Sequence, residues 1–368
     1  MKWTWSLVCV TLVACTGSPD GEPTPPHFEA PVAVITTTDY VVGSMAAVSL
    51  DTLEITDELL PSSGDPVVFA QGSDVWQVNR SNASIRFFRL PDLTTPRLEI
   101  STGQGTNPRS VALCGDSLYV AMLNTTYLLK LDPETGAEQT RLDLSDWNDE
   151  DGIPEAQSLA VIDHHLFVSL GRLNRNTQPW SPGAGGGRIL GIDCTTGGVD
   201  WEVTTGPDAT VTTSHSYPGQ LLVTDGVYYD EDENIALDGG LAVVEPFVTE
   251  SLTYLAREQT WGGNFFGVAD TPAGMGILLV VTDAEAQFHC LNLDTGEMNL
   301  LASTLSFVPQ IITAPDGLIW ASLKAPYTHP DEGGGVIRLD PQICAEVTPG
   351  NRLTFSLDPF GIAFVERG

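Results

Sequence analysis

Short apolar segments alternate with turn-forming residues along the chain from residue 31 onward. The clearest copy of this pattern, SVALCGDSLYVAMLNTTYLLKLDPETGAEQTRLDL (residues 110–144), predicts four strands separated by a Gly-Asp turn, a polar connection and a Pro-Glu-Thr-Gly turn. The sequence after the N-terminal segment lacks helical periodicity. The pattern therefore predicts an all-β protein built from repeats.

The third strand of the repeat and the turn after it occur seven times: VSLDTLEI, FRLPDLTTP, LKLDPETGAE, LGIDCTTGGV, AVVEPFVTES, LNLDTGEM and IRLDPQICAE. An acidic residue stands near the end of each of these strands, namely Asp51, Asp92, Asp132, Asp193, Glu245, Asp294 and Asp340. A short carboxylate at such a position accepts hydrogen bonds from the amides of the following turn. We interpret these acids as turn-forming residues rather than as ligands.

The first two strands of the repeat occur only six times, as VVFAQGSDVWQV, VALCGDSLYVAML, LAVIDHHLFVSLG, LLVTDGVYY, FGVADTPAGMGILLVV and IITAPDGLIWASL. The segment PVAVITTTDY at residue 31 lacks a first strand, and the apolar run at 360–365 lacks a partner. Repeats of about 40–50 residues with four strands each are typical of a β-propeller, whose closed ring protects its edges. The sequence thus predicts a seven-bladed β-propeller of four-stranded blades, in which residues 360–365 complete blade 1.

The composition is strongly acidic. The chain has 368 residues and a net charge of −32, and its only lysines are Lys2, Lys130 and Lys324. A nucleic-acid-binding protein needs a basic surface, so this class is excluded. The acidity indicates a solvated surface, with divalent-cation binding and a salt-rich habitat as the alternatives.

The N-terminal segment MKWTWSLVCVTLVAC has one basic residue and then an apolar stretch that is too short to span a bilayer. Its end, LVAC, resembles the lipobox of bacterial lipoproteins. That resemblance implies that Cys15 is acylated and becomes the first mature residue, and that Thr16 after it directs sorting to the outer membrane. The alternative is an ordinary secretory signal that is cleaved elsewhere.

This interpretation divides the chain into three parts. Residues 1–14 are a signal peptide, residues 15–30 are a flexible Pro/Gly-rich tether, and residues 31–368 form the propeller domain. We expect a monomer in the bacterial cell envelope, at the outer membrane, that contacts the membrane only through the lipid on Cys15.

The mature chain keeps four further cysteines, Cys114, Cys194, Cys290 and Cys344. An even number in an oxidising compartment permits two disulfides, and the spacing leaves all three pairings open. None of the four belongs to a CxxC or CxxCH motif, which argues against haem attachment and a cysteine-based zinc site.

One repeat, GIDCTTGGVDWEV (residues 191–203), resembles the repeat unit of quinoprotein-like and YVTN-type propellers. Asp193, Thr196, Gly197 and Trp201 stand where that family has them, and the resemblance implies that the tryptophan packs between blades. Some members bind pyrroloquinoline quinone through adjacent cysteines. This chain has no adjacent cysteine pair, which counts against that cofactor.

Three connections between second and third strands are long: residues 171–187, 230–240 and 324–335. In a propeller these loops share one face with the connections between blades. We expect a ligand-binding site there, around the channel mouth, composed of Arg109, Arg172, His215, Asn264, Lys324 and His329. Cations gathered in an anionic protein suit a carboxylate, an acidic sugar or an acidic partner loop. The alternative is that the loops are tolerated surface insertions.

Two acidic stretches are weaker candidates. The stretch YYDEDEN could hold Ca²⁺ through Asp230 and Asp232, or could be a solvated charge run. In DWNDEDGIPE (residues 146–155) Trp147 occupies the first ligand position of an EF-hand-like register, so we interpret it as a solvated connector.

Two functions of different classes fit these features. The first is a lipid-anchored binding or scaffold module for an envelope protein or glycan, acting through the loop-rich face. The second is an enzyme of the lactonase or quinoprotein dehydrogenase kind. The hydrolase and nucleotide motifs GxSxG, HExxH and the P-loop are absent from the sequence.

Overall fold

A computed structural model describes residues 26–326, 333–347 and 350–366. These residues form seven four-stranded antiparallel sheets and one two-stranded hairpin. The predicted all-β, seven-bladed propeller is thus confirmed. Cys15, His329 and the predicted signal peptide lie outside the described residues.

The strands of blades 1 to 3 are, in chain order, β1 (Val32–Thr38), β2 (Val42–Ser49), β3 (Ile55–Ser63), β4 (Pro66–Gln71), β5 (Asp74–Asn79), β6 (Ser84–Arg89), β7 (Leu98–Ser101), β8 (Pro108–Cys114), β9 (Ser117–Met122), β10 (Tyr127–Leu131) and β11 (Glu138–Asp143). The strands of blades 4 and 5 are β12 (Ala156–Ile162), β13 (His165–Leu170), β16 (Gly187–Asp193), β17 (Val199–Thr205), β18 (Thr210–Thr213), β19 (Leu221–Asp225), β20 (Gly240–Val244) and β21 (Tyr254–Arg257), with the hairpin β14 (Leu173–Asn174) and β15 (Ser181–Pro182) between β13 and β16.

The strands of blades 6 and 7 are β22 (Asn264–Asp270), β23 (Met275–Val281), β24 (Ala286–Asn292), β25 (Met298–Thr304), β26 (Phe307–Thr313), β27 (Ile319–Lys324), β28 (Gly335–Asp340) and β29 (Ala345–Glu346). The last strand, β30 (Pro359–Val365), belongs to blade 1. Helical structure in the described residues is confined to a 3-10 turn at Ser145–Trp147 and one α-helical turn, α1 (Glu258–Trp261). Neither is long enough to cross a membrane.

The hydrophobic core lies between the blades. The described residues form seven clusters of buried side chains, each shared by two neighbouring blades. The second strand of each blade is therefore covered on both faces, and β9 is buried along its whole length, whereas the outermost strand β11 is mostly exposed. Each blade depends on both of its neighbours for its stability.

Ring closure is made by β30, which pairs with β1 in the register Val32↔Val365 and Ile35↔Ile362. The Ile362 side chain is fully buried between blades 7 and 1. A Cβ at Gly361 would lie 2.8 Å from Thr36 Oγ1, so glycine allows the two strands to approach here. Residues 360–365 therefore complete blade 1, as the sequence predicts.

Two disulfides join neighbouring blades. Cys114 bonds to Cys194 between blades 3 and 4, and Cys290 bonds to Cys344 between blades 6 and 7. These bonds select one of the three pairings that the sequence leaves open. Neither bond crosses the seam between blades 7 and 1.

The turn acids act as predicted in several blades. Asp132 Oδ1 accepts hydrogen bonds from the amides of Glu134 and Thr135, and these bonds lower the pKa of Asp132. In blade 6 the corresponding acceptor is Asn292 rather than Asp294. Trp201 lies between blades 4 and 5 and donates from Nε1 to the carbonyl of Thr249 at 3.3 Å.

The prediction for blade 5 was wrong in one respect. LLVTD is the second strand, β19, and the first strand is β18. β18 is threonine-rich and half-exposed, so it carries almost no apolar signal in the sequence. At the other end of the chain, the amide of Phe28 donates to the carbonyl of Pro91, so packed structure begins before residue 31.

Deleting residues 359–368 should abolish cooperative unfolding. The deletion exposes the seam and removes Ile362 and Val365, which are almost fully buried. Buried aliphatic side chains contribute about 1.5–3 kcal/mol each, and a whole domain is stable by only about 5–15 kcal/mol. The measurement is thermal unfolding followed by circular dichroism, with deletion of residues 367–368 as the control. An unchanged melting temperature after the longer deletion would contradict closure by β30.

Candidate functional site

A cavity of about 420 Å³ opens at the channel mouth, on the face that carries the loops 171–186 and 226–239. We call these the central cavity and the loop-rich face. An adjoining cavity of about 590 Å³ shares Arg109 and Phe266 with it. The first cavity is lined by residues of the two long loops and by residues at the beginning of the innermost strands of blades 3 to 6, because those strands surround the channel.

The two sides of this mouth differ in chemistry. Blades 3, 4 and 5 supply the polar side chains Arg109, Gln157 and Asp208. Blades 6 and 7 supply Phe266 and Phe307, whose rings meet edge to face with centroids 5.9 Å apart and are 36% and 44% exposed. The mouth is therefore amphipathic.

Arg109 is the central polar residue of the mouth. Its guanidinium makes no hydrogen bond and no ion pair within 4 Å to any residue of the part of the chain that the structure describes. Burial, together with the nearby charge of Arg80, lowers the pKa of Arg109 to about 10. Its donors face the space shared by the two cavities.

Asp208 lies on the same wall. Gln157 Nε2 donates a hydrogen bond to Asp208 Oδ1 and fixes the direction of the carboxylate. Burial raises the pKa of Asp208, while the bond from Gln157 and the charge of Arg109 act in the opposite direction. This wall can thus accept a proton or a hydrogen bond from a ligand.

Aromatic residues of the two long loops complete the central cavity. Trp180 comes from the 171–186 loop, and Tyr228 and Tyr229 come from the 226–239 loop. The Tyr228 hydroxyl donates to Asp238 Oδ2 at 2.7 Å, which holds its ring in place. Trp180 is 46% exposed and Tyr229 is 58% exposed. Flat apolar surface is therefore available to a ligand at the cavity entrance.

A group of three carboxylates, Asp149, Asp151 and Glu155, adjoins this cavity, with ligand oxygens within 4.8 Å of one another. Arg175 Nε lies 3.2 Å from Asp151 and 3.0 Å from Glu155. Glu155 Oε2 also accepts a hydrogen bond from the amide of Leu173 at 2.6 Å. Residues 146–155 are therefore not simply a solvated connector, because the 171–186 loop folds back over their last residue.

The protonation of this group follows from its burial. Burial raises the pKa of Glu155 to about 8 and that of Asp149 to about 6. Arg175 already supplies positive charge to Asp151 and Glu155, so the three carboxyls do not need a metal ion to balance their charge. We interpret the group as an Asp151–Arg175 ion pair beside two carboxyls whose burial favours the protonated form.

A second such group, His165, Asp193 and Asp200, lies on the opposite face. His165 Nε2 is 3.1 Å from Asp200 Oδ2, and Asp193 Oδ1 already accepts two hydrogen bonds from the amides of its turn. These bonds account for the arrangement without a metal.

Of the predicted site residues, Arg109 and Asn264 line the central cavity. Asn264 Nδ2 donates to the carbonyls of Gly226 and Ala236 and so ties the 226–239 loop to blade 6. Arg109 therefore faces the space at the mouth, while Asn264 holds the wall in position.

Arg172 and Lys324 are buried and do not line either cavity. Arg172 donates to the carbonyl of Gly186 at 2.7 Å and closes the base of its loop. Lys324 Nζ donates to the carbonyl of Thr38 at 2.6 Å and lies 3.9 Å from Asp358 Oδ2, across the seam between blades 7 and 1. Both cations are used by the fold, so they do not create the predicted positive field at the mouth.

His215 is on the opposite face, because it follows β18 in a connection between first and second strands. Its Nδ1 lies 3.4 Å from Asp270 Oδ1, and this hydrogen bond raises the pKa of His215. The misplacement follows directly from assigning β19 as the first strand of blade 5.

The predicted Ca²⁺ ligands form a turn. Asp230 Oδ1 accepts hydrogen bonds from the amides of Asp232 and Asn234, at 2.9 Å each. Asp230 and Asp232 are not part of a three-ligand group among the described residues. His329 lies outside those residues.

Sequence reasoning missed Gln157, Asp208 and Glu155. Gln157 and Asp208 stand at or just before the beginning of an innermost strand, the same place that Arg109 occupies in blade 3. Comparing this one position in all seven repeats would have found Gln157, and Asp208 as well once β18 is recognised. The burial of Glu155 depends on a loop that is distant in sequence, so the repeat carries no signal for it.

No family model matches the chain, and no curated protein sequence matches it either. Solved structures share its fold. A putative 6-phosphogluconolactonase from Bacteroides uniformis ATCC 8492 is 13% identical, with 91% of this chain and 99% of that one covered and a TM-score of 0.60. A functionally unknown protein from Desulfotomaculum acetoxidans DSM 771 is 11% identical, with 92% and 100% covered and a TM-score of 0.59. The β-propeller domain of Cps50 (Swd1) from Myceliophteria thermophila is 12% identical, with 81% and 95% covered and a TM-score of 0.56. At these identities the likeness is one of fold alone.

Glu155→Gln should change how stability depends on pH. The folded carboxyl keeps its proton from about pH 4.5 to about pH 8, where the unfolded chain has lost it, so wild-type stability falls as the pH rises through this window. Glutamine cannot titrate and still accepts the bond from Leu173. We expect the free energy of unfolding of the wild type, relative to that of the variant, to fall by roughly 2–4 kcal/mol between about pH 5 and about pH 8.5.

Urea unfolding at both pH values measures this difference. Glu138→Gln removes an exposed carboxylate and serves as the control. Parallel pH profiles for the wild type and Glu155→Gln would show that Glu155 is ionised in the folded protein.

Proposed function

We propose that this chain is a lipid-anchored propeller of the bacterial cell envelope whose loop-rich face binds a partner protein. The observation that carries the proposal is the distribution of exposed large hydrophobic side chains. Eight of the thirteen in the described residues lie on this face: Tyr40, Val41, Val42, Trp180, Tyr229, Phe266, Leu305 and Phe307. A concentration of this kind is typical of an interaction surface.

The surface has the anatomy of a protein interface. Aromatic side chains surround the central cavity, and such residues supply much of the binding energy in protein complexes. Aliphatic residues at the rim, Val41 and Leu305 among them, suit a protein surface better than a glycan. The loops project from a rigid ring, an arrangement commonly used for binding.

The two disulfides support the proposed location, because such bonds persist in oxidising compartments such as the periplasm and the cell surface. The outer-membrane anchor itself depends on Cys15. Cys15→Ser should abolish membrane association and leave the fold unchanged, because a lipid-anchored protein binds through its acyl chains. The measurement is membrane fractionation after a high-salt wash, with circular dichroism of the soluble variant. A variant that still sediments with membranes would contradict lipid anchoring.

A triple variant tests the binding face. Val41→Ser, Leu305→Ser and Phe307→Ser together should reduce capture of an envelope protein by about tenfold or more, a loss of about 1.4 kcal/mol. The control is Val199→Ser, Val248→Ser and Ile343→Ser, which removes exposed side chains from the opposite face. Both should keep the melting temperature within about 2 °C, because exposed substitutions have small effects on stability.

The measurement is quantitative capture from detergent extracts of the envelope, before and after protease treatment of the extract. Binding that survives protease would favour a glycan as the partner. Equal capture by the two triple variants would place the interface elsewhere and overturn the proposal.

Glu155 favours a second candidate function, an enzyme of the lactonase kind. A carboxyl with a pKa of about 8 beside a cavity can donate a proton to a leaving oxygen at neutral pH. Hydrolysis of δ-gluconolactone by the wild type, lost in Glu155→Gln, would favour the enzyme over the binding module. A quinone absorbance in the purified protein would instead favour the quinoprotein alternative.

A further inference from the structure

Arg109, which lines the central cavity, makes no direct ion pair with another described residue. Arg80 pairs with Asp65, and Arg175 pairs with Asp151 and Glu155. Arg109 differs from them, because no carboxylate of the described residues lies within 4 Å of its guanidinium. Arg109 is half-buried and lines both cavities, so its guanidinium is open to an anionic ligand.

The acidic side chains near Arg109 have other bonding partners. Asp208 is held by Gln157, and Glu155 is held by Arg175 and the amide of Leu173. Burial also disfavours the ionised form of each of these two carboxyls. The cavity therefore has room for one further negative charge.

The charge available indicates which anion. A guanidinium presents parallel N–H donors that match the two oxygens of a carboxylate or a phosphate. A phosphate dianion carries a second negative charge, and the other arginines that line the two cavities, Arg80 and Arg175, are already paired with carboxylates. Phe266 of blade 6 and Trp180 of the 171–186 loop line the same cavity, and their rings suit an apolar body attached to the anion. The volume of about 420 Å³ is within the range of small-molecule sites, about 300–1,000 Å³.

We propose that Arg109 binds the carboxylate of a ligand whose apolar body lies against Phe266 and Trp180 in the central cavity. The inference rests on the proposed function in one respect, since it makes this cavity the centre of the binding face. The carboxylate has two possible sources, a free small acid or an acidic residue of the docked partner. The chemistry at Arg109 is the same for both.

The experiment uses benzoate and cyclohexanecarboxylate as probes, with benzamide and phenyl phosphate as the neutral and dianionic comparisons. Binding to the full chain is measured by ligand-observed NMR and titration calorimetry. We expect the two carboxylates to bind at least tenfold more tightly than benzamide and phenyl phosphate. Equal binding of all four probes, or none, would overturn the assignment without any variant.

Variants then locate the site. Arg109→Gln should weaken benzoate binding about 10- to 100-fold, and Arg109→Lys less, because lysine keeps the charge and loses the parallel donors. Arg141→Gln, an exposed arginine on β11 that pairs with Glu138, is the matched control and should leave binding unchanged. Benzoate binding that Arg109→Gln leaves unchanged would also overturn the assignment.

Competition between benzoate and the captured protein distinguishes a free acid from an acidic residue of the partner. It also tests this inference separately from the proposed function. If the partner supplies the carboxylate, benzoate displaces the captured envelope protein and Arg109→Gln reduces capture. If the ligand is a free acid, capture is unaffected while benzoate binding is lost in the variant. If the loop-rich face is needed for capture but the probes bind without a preference for carboxylates, this inference alone is overturned. If carboxylates bind but capture does not depend on the loop-rich face, the proposed function alone is overturned.

Discussion

The fold depends on the pairing of two strands that lie at opposite ends of the chain. β30 fills the inner position of blade 1, and its Ile362 lies in the hydrophobic cluster that blades 7 and 1 share. Every other blade is built from consecutive residues and packs against neighbours that are close in sequence. Ring closure is different, because β30 pairs with residues from the other end of the chain, such as Val365 with Val32, and neither disulfide of the described residues crosses the seam. Lys324 is buried at this seam, with its ammonium on a backbone carbonyl of blade 1.

Much of this architecture was predictable from the sequence, because each blade repeats the same alternation of strands and turns. The number of repeats predicts the number of blades, and the unpaired apolar segment identifies the strand that closes the ring. The pattern failed at β18, where threonines replace the apolar residues that mark the other inner strands. That single error also placed His215 on the wrong face and hid Asp208.

The site was less predictable for a different physical reason. Arginine and lysine can bond to backbone carbonyls as well as to ligands, and the sequence does not distinguish these uses. Arg172 and Lys324 donate hydrogen bonds to backbone carbonyls, whereas the Arg109 guanidinium does not. The pKa of Glu155 is raised by burial beneath a loop that is distant in sequence, and the residues around Glu155 do not indicate that burial.

The position of β30 also makes blade 1 the place where the ring can open. When β30 leaves, β1 has an unpaired edge and the neighbouring blades have uncovered faces. A β30 strand of a second molecule would fit the same position, so opening of the ring favours exchange of this strand between copies.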